Sequence, residues 1–389
     1  MTRPGKVESG LTPGHRLASL DIIRGVVMIL MAIDHVRVYS GVPAGGPTAA
    51  IFFTRWVTHF CAPAFVFFAG TAAFLHGRKL GDTGTLARYL VVRGLLLVLL
   101  ELTVIRFSWT FNVDYSQFVL AGVIWMTGWC MVLLAAFVRL SPRTVGIAGL
   151  LIILFQQTFS FFPRALPASV RAFVGPIWEF VYPAGSDGWL GMTVLYTIVP
   201  WIGVMAAGHG FGAILLRASG DRRRLCLRIG LTATALFVVF TVVIDWLSPS
   251  AGETTPGLFR LLSASKYPAS PLFLLMTLGP TIAVLPLVER SRGWIADVVG
   301  TFGRVPMFYY LLHIPTIHVT ALLVNLLRTG SANAGPYATA PYVDMPQADH
   351  WPLWLLYVVF VVDVVLLYFP CRWYADLKAR RRSRWLSYV

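Results

Sequence analysis

Charged residues are scarce in this sequence. Asp, Glu, Lys and Arg make up 13% of the 389 residues, whereas hydrophobic residues make up 57%. A chain of this composition has more apolar surface than a soluble fold can bury. The composition therefore excludes a soluble globular protein and predicts an integral membrane protein.

Several motifs are also absent. The four cysteines lie far apart and show neither a disulfide framework nor a metal-binding spacing, and the histidines form no HxxH or HExxH pattern. The chain has no GxGxxG fingerprint between a strand and a helix, no Walker loop and no GxSxG elbow. These absences argue against ATP or NAD chemistry, a serine hydrolase and a bound metal ion.

Long apolar runs are what the sequence has instead, each close to the roughly 20 residues that cross a bilayer as a helix. They occupy residues 18–40, 49–75, 89–108, 117–138, 144–162, 189–216, 226–247, 271–288, 300–327 and 351–369. We therefore expect an all-α, polytopic membrane bundle of about ten transmembrane helices. The first run is too long for a signal-peptide core and should remain in the mature protein.

The basic residues indicate the orientation of these helices. The formal net charge is +15, and about two thirds of the 32 Lys and Arg residues fall on one side if the N-terminus is cytoplasmic. This asymmetry is a positive-inside signal rather than a nucleic-acid site. It predicts that both termini are cytoplasmic, with a tail at 1–15, one transmembrane bundle at 16–370 and a basic tail at 371–389. Anionic membrane lipids are expected partners of the basic clusters.

The most informative stretch is RLASLDIIRGVVMILMAIDHVR, residues 16–37. Residues three and four positions apart share one face of a helix. In this stretch, such a face carries Asp21, Arg24, Met28, Met31 and His35. Exposing such charges to lipid costs about 2.5 to 3.5 kcal/mol each. We therefore expect this polar stripe to face the protein interior or a wet cavity.

Three histidines are candidates for chemistry. His35 is a possible general base near the outer end of the first helix, with Asp34 adjacent, and His59 follows Arg55 by one turn in the second helix, where it could approach His35. In the ninth helix, His313 shares a polar face with Tyr310 at mid-membrane depth. Each of these histidines can equally be a buried, hydrogen-bonded core residue. Two further intramembrane acids, Glu101 and Asp363, are expected to pair with arginines such as Arg93 or Arg106.

Four segments in this order resemble one family: RLASLDIIRG, TRWVTHFCAPAFVFFAG, KYPASPLFLLMTLGP and FGRVPMFYYLLHIPTIH. They are similar to the bacterial relatives of heparan-alpha-glucosaminide N-acetyltransferase, a family of polytopic membrane acyltransferases. The resemblance spans about residues 16 to 370. It implies transfer of an acetyl or similar acyl group from cytoplasmic acyl-CoA to a sugar amine or hydroxyl outside, by a multi-pass protein of a bacterial inner membrane that is commonly a homodimer.

The resemblance also assigns residues. Asp21 and Arg24 match the SxDxxRG signature of the family, and His313 matches the histidine of its late helix. His35 lies where the lysosomal member has a catalytic asparagine. The catalytic histidine of that member lies in the first outer loop, and residues 41–54 contain no histidine. Either His35 or His59 takes that role, or the chemistry differs.

Together, these observations predict a donor site and a catalytic site. Arg24, with Arg93 and Arg304 near the same face, is placed to meet the phosphates of acyl-CoA. His35 is expected to remove the acceptor proton, with Asp34 tuning it and with His313 or His59 stabilising the oxyanion or positioning substrate.

Two other functions stay open on the sequence alone. In a transporter for a small polar solute, the same charges would line a substrate or proton route, and in a structural scaffold they would only set helix register. Binding of acyl-CoA would separate the acyltransferase from the transporter, whereas a scaffold should lose its fold in Asp21→Ala or Arg24→Ala and lose nothing in His35→Ala.

Overall fold

The computed structural model describes residues 18–45, 48–116, 118–183, 192–247 and 256–381. The predicted tail at 1–15 and the end of the predicted basic tail, 382–389, lie outside these residues. The described chain is a bundle of helices with very little strand, which confirms the predicted all-α fold.

The helices in chain order are α1 (Ala18–Ser40), α2 (Ala49–Trp56), α3 (Cys61–Leu80), α4 (Thr83–Leu100), α5 (Arg106–Thr110), α6 (Val123–Phe137), α7 (Pro142–Leu154), α8 (Phe161–Arg164), α9 (Ala168–Trp178), α10 (Ile198–Leu215), α11 (Ser219–Leu247), α12 (Gly257–Leu262), α13 (Pro271–Val288), α14 (Trp294–Arg304), α15 (Pro306–Thr329) and α16 (Leu353–Arg380). Short 3₁₀ segments occur at Val57–Phe60, Gln156–Ser160, Gly335–Tyr337 and Gln347–Asp349, and a π-helical turn at Glu101–Ile105. Strands β1 (Val119–Ala121) and β2 (Met192–Val194) pair in parallel.

Six continuous helical segments of the described chain are long and apolar enough to cross a membrane: Ala49–Leu80, Ile198–Leu215, Ser219–Leu247, Pro271–Val288, Pro306–Thr329 and Leu353–Arg380. A seventh exists if Pro142–Leu154 and Gln156–Arg164, bent by 61°, form one span. The protein is therefore an integral membrane protein. The three remaining crossings, through α1, α4 and α6, stay a prediction: α1 carries several charges and α6 has only 15 residues.

Two helices begin later than their apolar runs suggested. The run at 117–138 contains strand β1, and α6 starts only at Val123. The run at 189–216 likewise contains β2, and α10 starts at Ile198. The reason is that the backbone groups of the two short strands pair with each other rather than within a helix, with Leu120 opposite Thr193.

Helix α1 lies inside the bundle, in contact with α3, α14, α15 and α16. Along its polar stripe, Asp21, Met28 and Met31 are buried, and Arg24 and His35 are half-buried. The prediction that this stripe faces the protein interior is confirmed.

Glycines allow α1 and α14 to approach closely. A Cβ atom on Gly25 would overlap the carbonyl oxygen of Val299, and a Cβ atom on Gly303 would overlap that of Asp21. Small residues at such crossings let helix backbones touch, which is a common way for helices to associate in membranes. The close approach of α14 to α1 therefore explains the glycine at position 25.

The intramembrane acid Glu101 has a different partner from the one expected. It opens the π-helical turn after α4, and its carboxylate accepts hydrogen bonds from the backbone N–H groups of Ile124 (3.0 Å) and Trp125 (3.2 Å). Glu101 thus satisfies orphan donors at the N-terminus of α6, where a negative charge is favourable. Arg106 donates instead to the backbone carbonyls of Phe118 and Asp114.

The expectation of an arginine partner is also wrong for Asp363. Its carboxylate accepts hydrogen bonds from the hydroxyl of Thr320, at 3.0 and 3.1 Å, between α16 and α15. A hydroxyl donor meets the need of a buried carboxyl group for a hydrogen bond without a second charge.

The α1–α14 packing can be tested with two alanine substitutions. Gly25→Ala should lower the free energy of unfolding by about 1–3 kcal/mol, because the added methyl group forces the backbones apart. Gly300→Ala in α14 is the matched control, since nothing lies within 4 Å of its Cβ position, and it should be neutral or slightly stabilising. Thermal unfolding in detergent measures both, and equal stabilities would contradict this account of the packing.

Candidate active site

His35 and His313 form the centre of the candidate site. His35 lies on α1 and His313 on α15, and the distance between Nδ1 of His35 and Nε2 of His313 is 2.6 Å. The two rings stack with centroids 4.8 Å apart. These residues are 278 positions apart in the sequence, so tertiary packing alone joins them.

The hydrogen bonds of the pair assign its tautomers. Nδ1 of His313 lies 2.7 Å from the backbone carbonyl oxygen of Tyr310, and a carbonyl oxygen can only accept. Nδ1 of His313 therefore carries the proton, and Nε2 of the neutral ring accepts one from Nδ1 of His35. This leaves a lone pair on Nε2 of His35, for which the described residues provide no hydrogen-bond donor.

Aromatic side chains hold His35 in place. Trp109 meets it edge to face, with ring centroids 4.9 Å apart. Tyr39, one turn further along α1, is fully buried and donates its hydroxyl to the backbone carbonyl of Trp109 at 2.7 Å. The orientation of the His35 ring is thus constrained by α1, α5 and α15 together.

Asp34 makes ion pairs with arginines rather than a contact with His35. One carboxylate oxygen lies 3.0 Å from Nε of Arg37, and the other lies 2.5 Å from Nη1 of Arg55. Arg37 also donates to the backbone carbonyl of Val42 at 3.0 Å. Asp34 therefore joins α1 to α2, and its charge is neutralised by two cations at once.

A pocket opens next to His35. Its polar and reactive lining residues come from α1, the α2–α3 junction and two later loops: Asp34, His35, Thr58, Cys61, Tyr196 and Lys266. Met31 and Phe65 are apolar residues of the pocket lining. A nucleophile in this pocket would lie beside His35 and near fixed charges, the arrangement in which a general base and electrostatic stabilisation act together.

His59 lies at the junction of α2 and α3. It is in the 3₁₀ segment Val57–Phe60, and its ring contacts that of Phe273 with centroids 5.5 Å apart. No hydrogen bond or ring contact between described residues joins His59 to His35, and the predicted approach of the two histidines stays a prediction.

Tyr310 and Arg55, predicted to bind substrate, both contact site residues. Tyr310 is buried, and it accepts the Nδ1 hydrogen bond of His313 through its backbone carbonyl. Arg55 is held by Asp34 and also donates to the hydroxyl of Thr58 at 3.3 Å. Both residues therefore orient neighbours in the structure, and their contact with a substrate stays a prediction.

The residues predicted to meet acyl-CoA lie on three helices. Arg24 donates to the backbone carbonyl of Phe68 on α3 at 3.2 Å, and the buried Asp21 lies one turn before it. Arg304 is exposed at the end of α14, next to the start of α1, and donates to the hydroxyl of Thr301. Arg93 lies on α4 and donates to the hydroxyl of Tyr89 at 2.8 Å.

Sequence reasoning missed Lys266, Tyr196 and Trp109 as members of the site. Lys266 had one signal, because it opens the segment KYPASP that carried part of the family resemblance. Tyr196 and Trp109 had none beyond the general enrichment of aromatic residues near membrane interfaces. Separately, the described residues contain no group of three or more His, Cys, Asp or Glu side chains that could hold a metal ion.

A comparison with known families identifies a match. The family model described as heparan-alpha-glucosaminide N-acetyltransferase, catalytic, matches residues 16–245, which is more than half of the chain. No curated protein matches the chain. The matched range includes His35, Asp34 and Tyr196, whereas Lys266 and His313 lie after it.

The ion pairs of Asp34 lead to a stability prediction. Asp34→Asn should lower the free energy of unfolding by about 3 kcal/mol, because the buried Arg37 and the half-buried Arg55 would remain without a counter-charge. Asp245→Asn is the matched control, since the pair of Asp245 with Arg260 is more exposed to solvent, and its effect should be much smaller. Thermal unfolding of the two variants checks this, and an equal loss in both would contradict it.

Proposed function

The chain belongs to the heparan-alpha-glucosaminide N-acetyltransferase catalytic family, and from this premise we propose that it moves an acetyl group from acetyl-CoA to an amine or hydroxyl of a sugar. The enzyme class and the membrane location follow from the family and the helices. The observation that carries the proposal is the His35–His313 hydrogen bond, which leaves Nε2 of His35 free in a pocket.

In this proposal His35 is the general base. Its Nε2 takes the proton from the acceptor amine or hydroxyl as that group attacks the thioester carbonyl carbon of acetyl-CoA. The resulting imidazolium is stabilised by the hydrogen bond from Nδ1 to His313, and it returns the proton to the sulfur of the departing CoA. His313 is a positioning residue, because it sets the tautomer and orientation of His35 without touching the substrates.

The two substrates are proposed to enter from opposite ends of α1. CoA carries several phosphate charges and cannot cross hydrocarbon, so it would bind at the cytoplasmic end, near Asp21, Arg24 and Arg304, with Arg93 on α4 as a further contact. The sugar would enter at the other end, where His35 lies. This arrangement requires the start of α1 to face the cytoplasm, which the charge asymmetry of the loops supports; both termini in the cytoplasm and ten crossings fit the same asymmetry.

Asp34 has a revised role in this mechanism. Because its carboxylate is shared by Arg37 and Arg55, we propose that it holds the outer end of α1 against α2 and so shapes the acceptor side of the pocket. The transporter hypothesis is not favoured by the family membership. A bacterial inner membrane, a homodimer and specific lipid contacts remain predictions.

The role of the histidine pair can be tested with acetyl transfer from acetyl-CoA to glucosamine. His35→Ala should lower kcat by at least about 100-fold, since it removes the base. His313→Leu should also lower kcat, because Nδ1 of His35 loses its acceptor, and the double variant should be little worse than His35→Ala. His209→Ala changes a buried histidine next to Phe74, away from the pocket, and should keep activity. Full activity of His35→Ala would reject the assignment.

The donor site can be tested without turnover. Acetyl-CoA should raise the melting temperature of the purified protein in a saturable way, and Arg24→Ala should weaken this effect at least about tenfold, because it removes a phosphate partner. Arg290→Ala, at an exposed arginine before α14, is the matched control and should bind normally. A folded wild-type protein that does not respond to acetyl-CoA would contradict the proposed donor.

A further inference from the structure

Lys266 lies in the segment between α12 and α13 that carries the sequence KYP. Only 8% of this side chain is exposed, and it lines the same pocket as His35. Its backbone is held in place, because Lys266 bridges to Ala269 and the N–H of Ser270 donates to the carbonyl of Ser265 at 2.9 Å. The side chain therefore belongs to an ordered wall of the pocket.

The ammonium group of Lys266 lies over aromatic rings. It lies 5.2 Å from the ring centroid of Tyr267 and 5.9 Å from that of Tyr196. Within the described part of the chain, no carboxylate lies within ion-pair distance of it, and the acid that shares its pocket, Asp34, is paired with Arg37 and Arg55. The one acid in the pocket lining, Asp34, is thus already paired with two arginines, and Lys266 is the cation in the lining.

A buried ammonium group without a counter-charge is costly, and contacts with ring faces offset only part of that cost. Such a group becomes favourable when a negative charge forms beside it. Water-excluded sites place fixed positive charges where the transition state develops negative charge, because no solvent then has to reorganise. The position of Lys266, across a small pocket from the proposed base, fits this requirement.

We propose that Lys266 is a further catalytic residue, whose ammonium group stabilises the oxyanion formed on the acetyl carbonyl during transfer. The inference rests on the proposed function. As the lone pair of the acceptor nitrogen or oxygen forms a bond to the carbonyl carbon, the carbonyl π electrons move to oxygen, and His35 takes the acceptor proton. When the oxyanion collapses, the carbon–sulfur bond breaks and the proton passes from His35 to the CoA sulfur. The charge on Lys266 is unchanged throughout.

The structure favours this role over recognition of the phosphates of CoA. The proposed phosphate contacts Arg24 and Arg304 lie towards the N-terminal end of α1, whereas Lys266 shares a pocket with His35 near the other end. The acetyl carbonyl is the part of the donor that must reach His35. An acidic group on the acceptor is the alternative ligand for Lys266. Loss of a contact with the oxyanion lowers kcat, whereas loss of a contact with the acceptor in the ground state raises the KM of the acceptor.

The test compares Lys266→Met, Lys266→Arg and a control, Lys79→Met, at an exposed lysine at the end of α3. With acetyl-CoA and glucosamine, Lys266→Met should lower kcat by about 100- to 1,000-fold. The KM of each substrate should stay within about twofold of the wild-type value, because an oxyanion contact is absent in the ground state. Lys266→Arg should recover part of kcat, and Lys79→Met should match the wild type.

A second measurement does not depend on turnover. Methylphosphonate, a small tetrahedral anion, should raise the melting temperature of the wild-type protein and of Lys266→Arg but not of Lys266→Met. A normal kcat in Lys266→Met, a defect confined to KM, or equal stabilisation of the wild type and Lys266→Met by methylphosphonate would overturn the proposal. Failure of the proposed function would be seen differently, as a wild-type protein that neither binds acetyl-CoA nor transfers acetyl groups.

Discussion

Helix α1 carries acids, arginines and a histidine over a length comparable to the thickness of a bilayer, and each of these groups needs a protein partner there. Lipid offers no hydrogen bonds, so a helix of this composition can exist in a membrane only inside a bundle. The surrounding α3, α14, α15 and α16 meet that requirement. The remainder of the architecture follows from it, including the glycines at which α14 approaches α1 closely.

The same constraint separates the molecule into two chemically different regions. Near the start of α1, Arg24 and the exposed Arg304 offer positive charge at the end of the bundle. Near its other end, Asp34 and two arginines form a nearly closed ion-pair group beside His35. A substrate with many negative charges suits the first region, and a neutral reacting group suits the second. One helix therefore carries both halves of the proposed reaction.

The pocket combines the proposed general base with a lysine that has no ion-pair partner among the described residues. Among the described histidines, only His35 has this combination of a hydrogen-bonded Nδ1 and a place in the pocket. By comparison, Nδ1 of His318 lies 3.1 Å from the backbone carbonyl oxygen of Ser108, and the His318 ring stacks on the ring of Phe111. This is the arrangement of a core residue. The contrast explains why similar histidines in one bundle can have different functions: their neighbours decide which nitrogen is available.

The sequence by itself determined the properties that depend on local periodicity and composition. These include the membrane location, the helical class, and the polar stripe of α1, because residues three and four apart share a helix face whatever the remainder of the fold does. His35 and His313 were both candidates on that basis. Their pairing was decided only by the tertiary structure, as were the ion pairs of Asp34 with Arg55, the cap that Glu101 provides for α6, and the position of Lys266. These contacts join distant segments of the chain. Helix crossings are set by close backbone approach at small residues, and no spacing along one helix encodes which helix lies opposite.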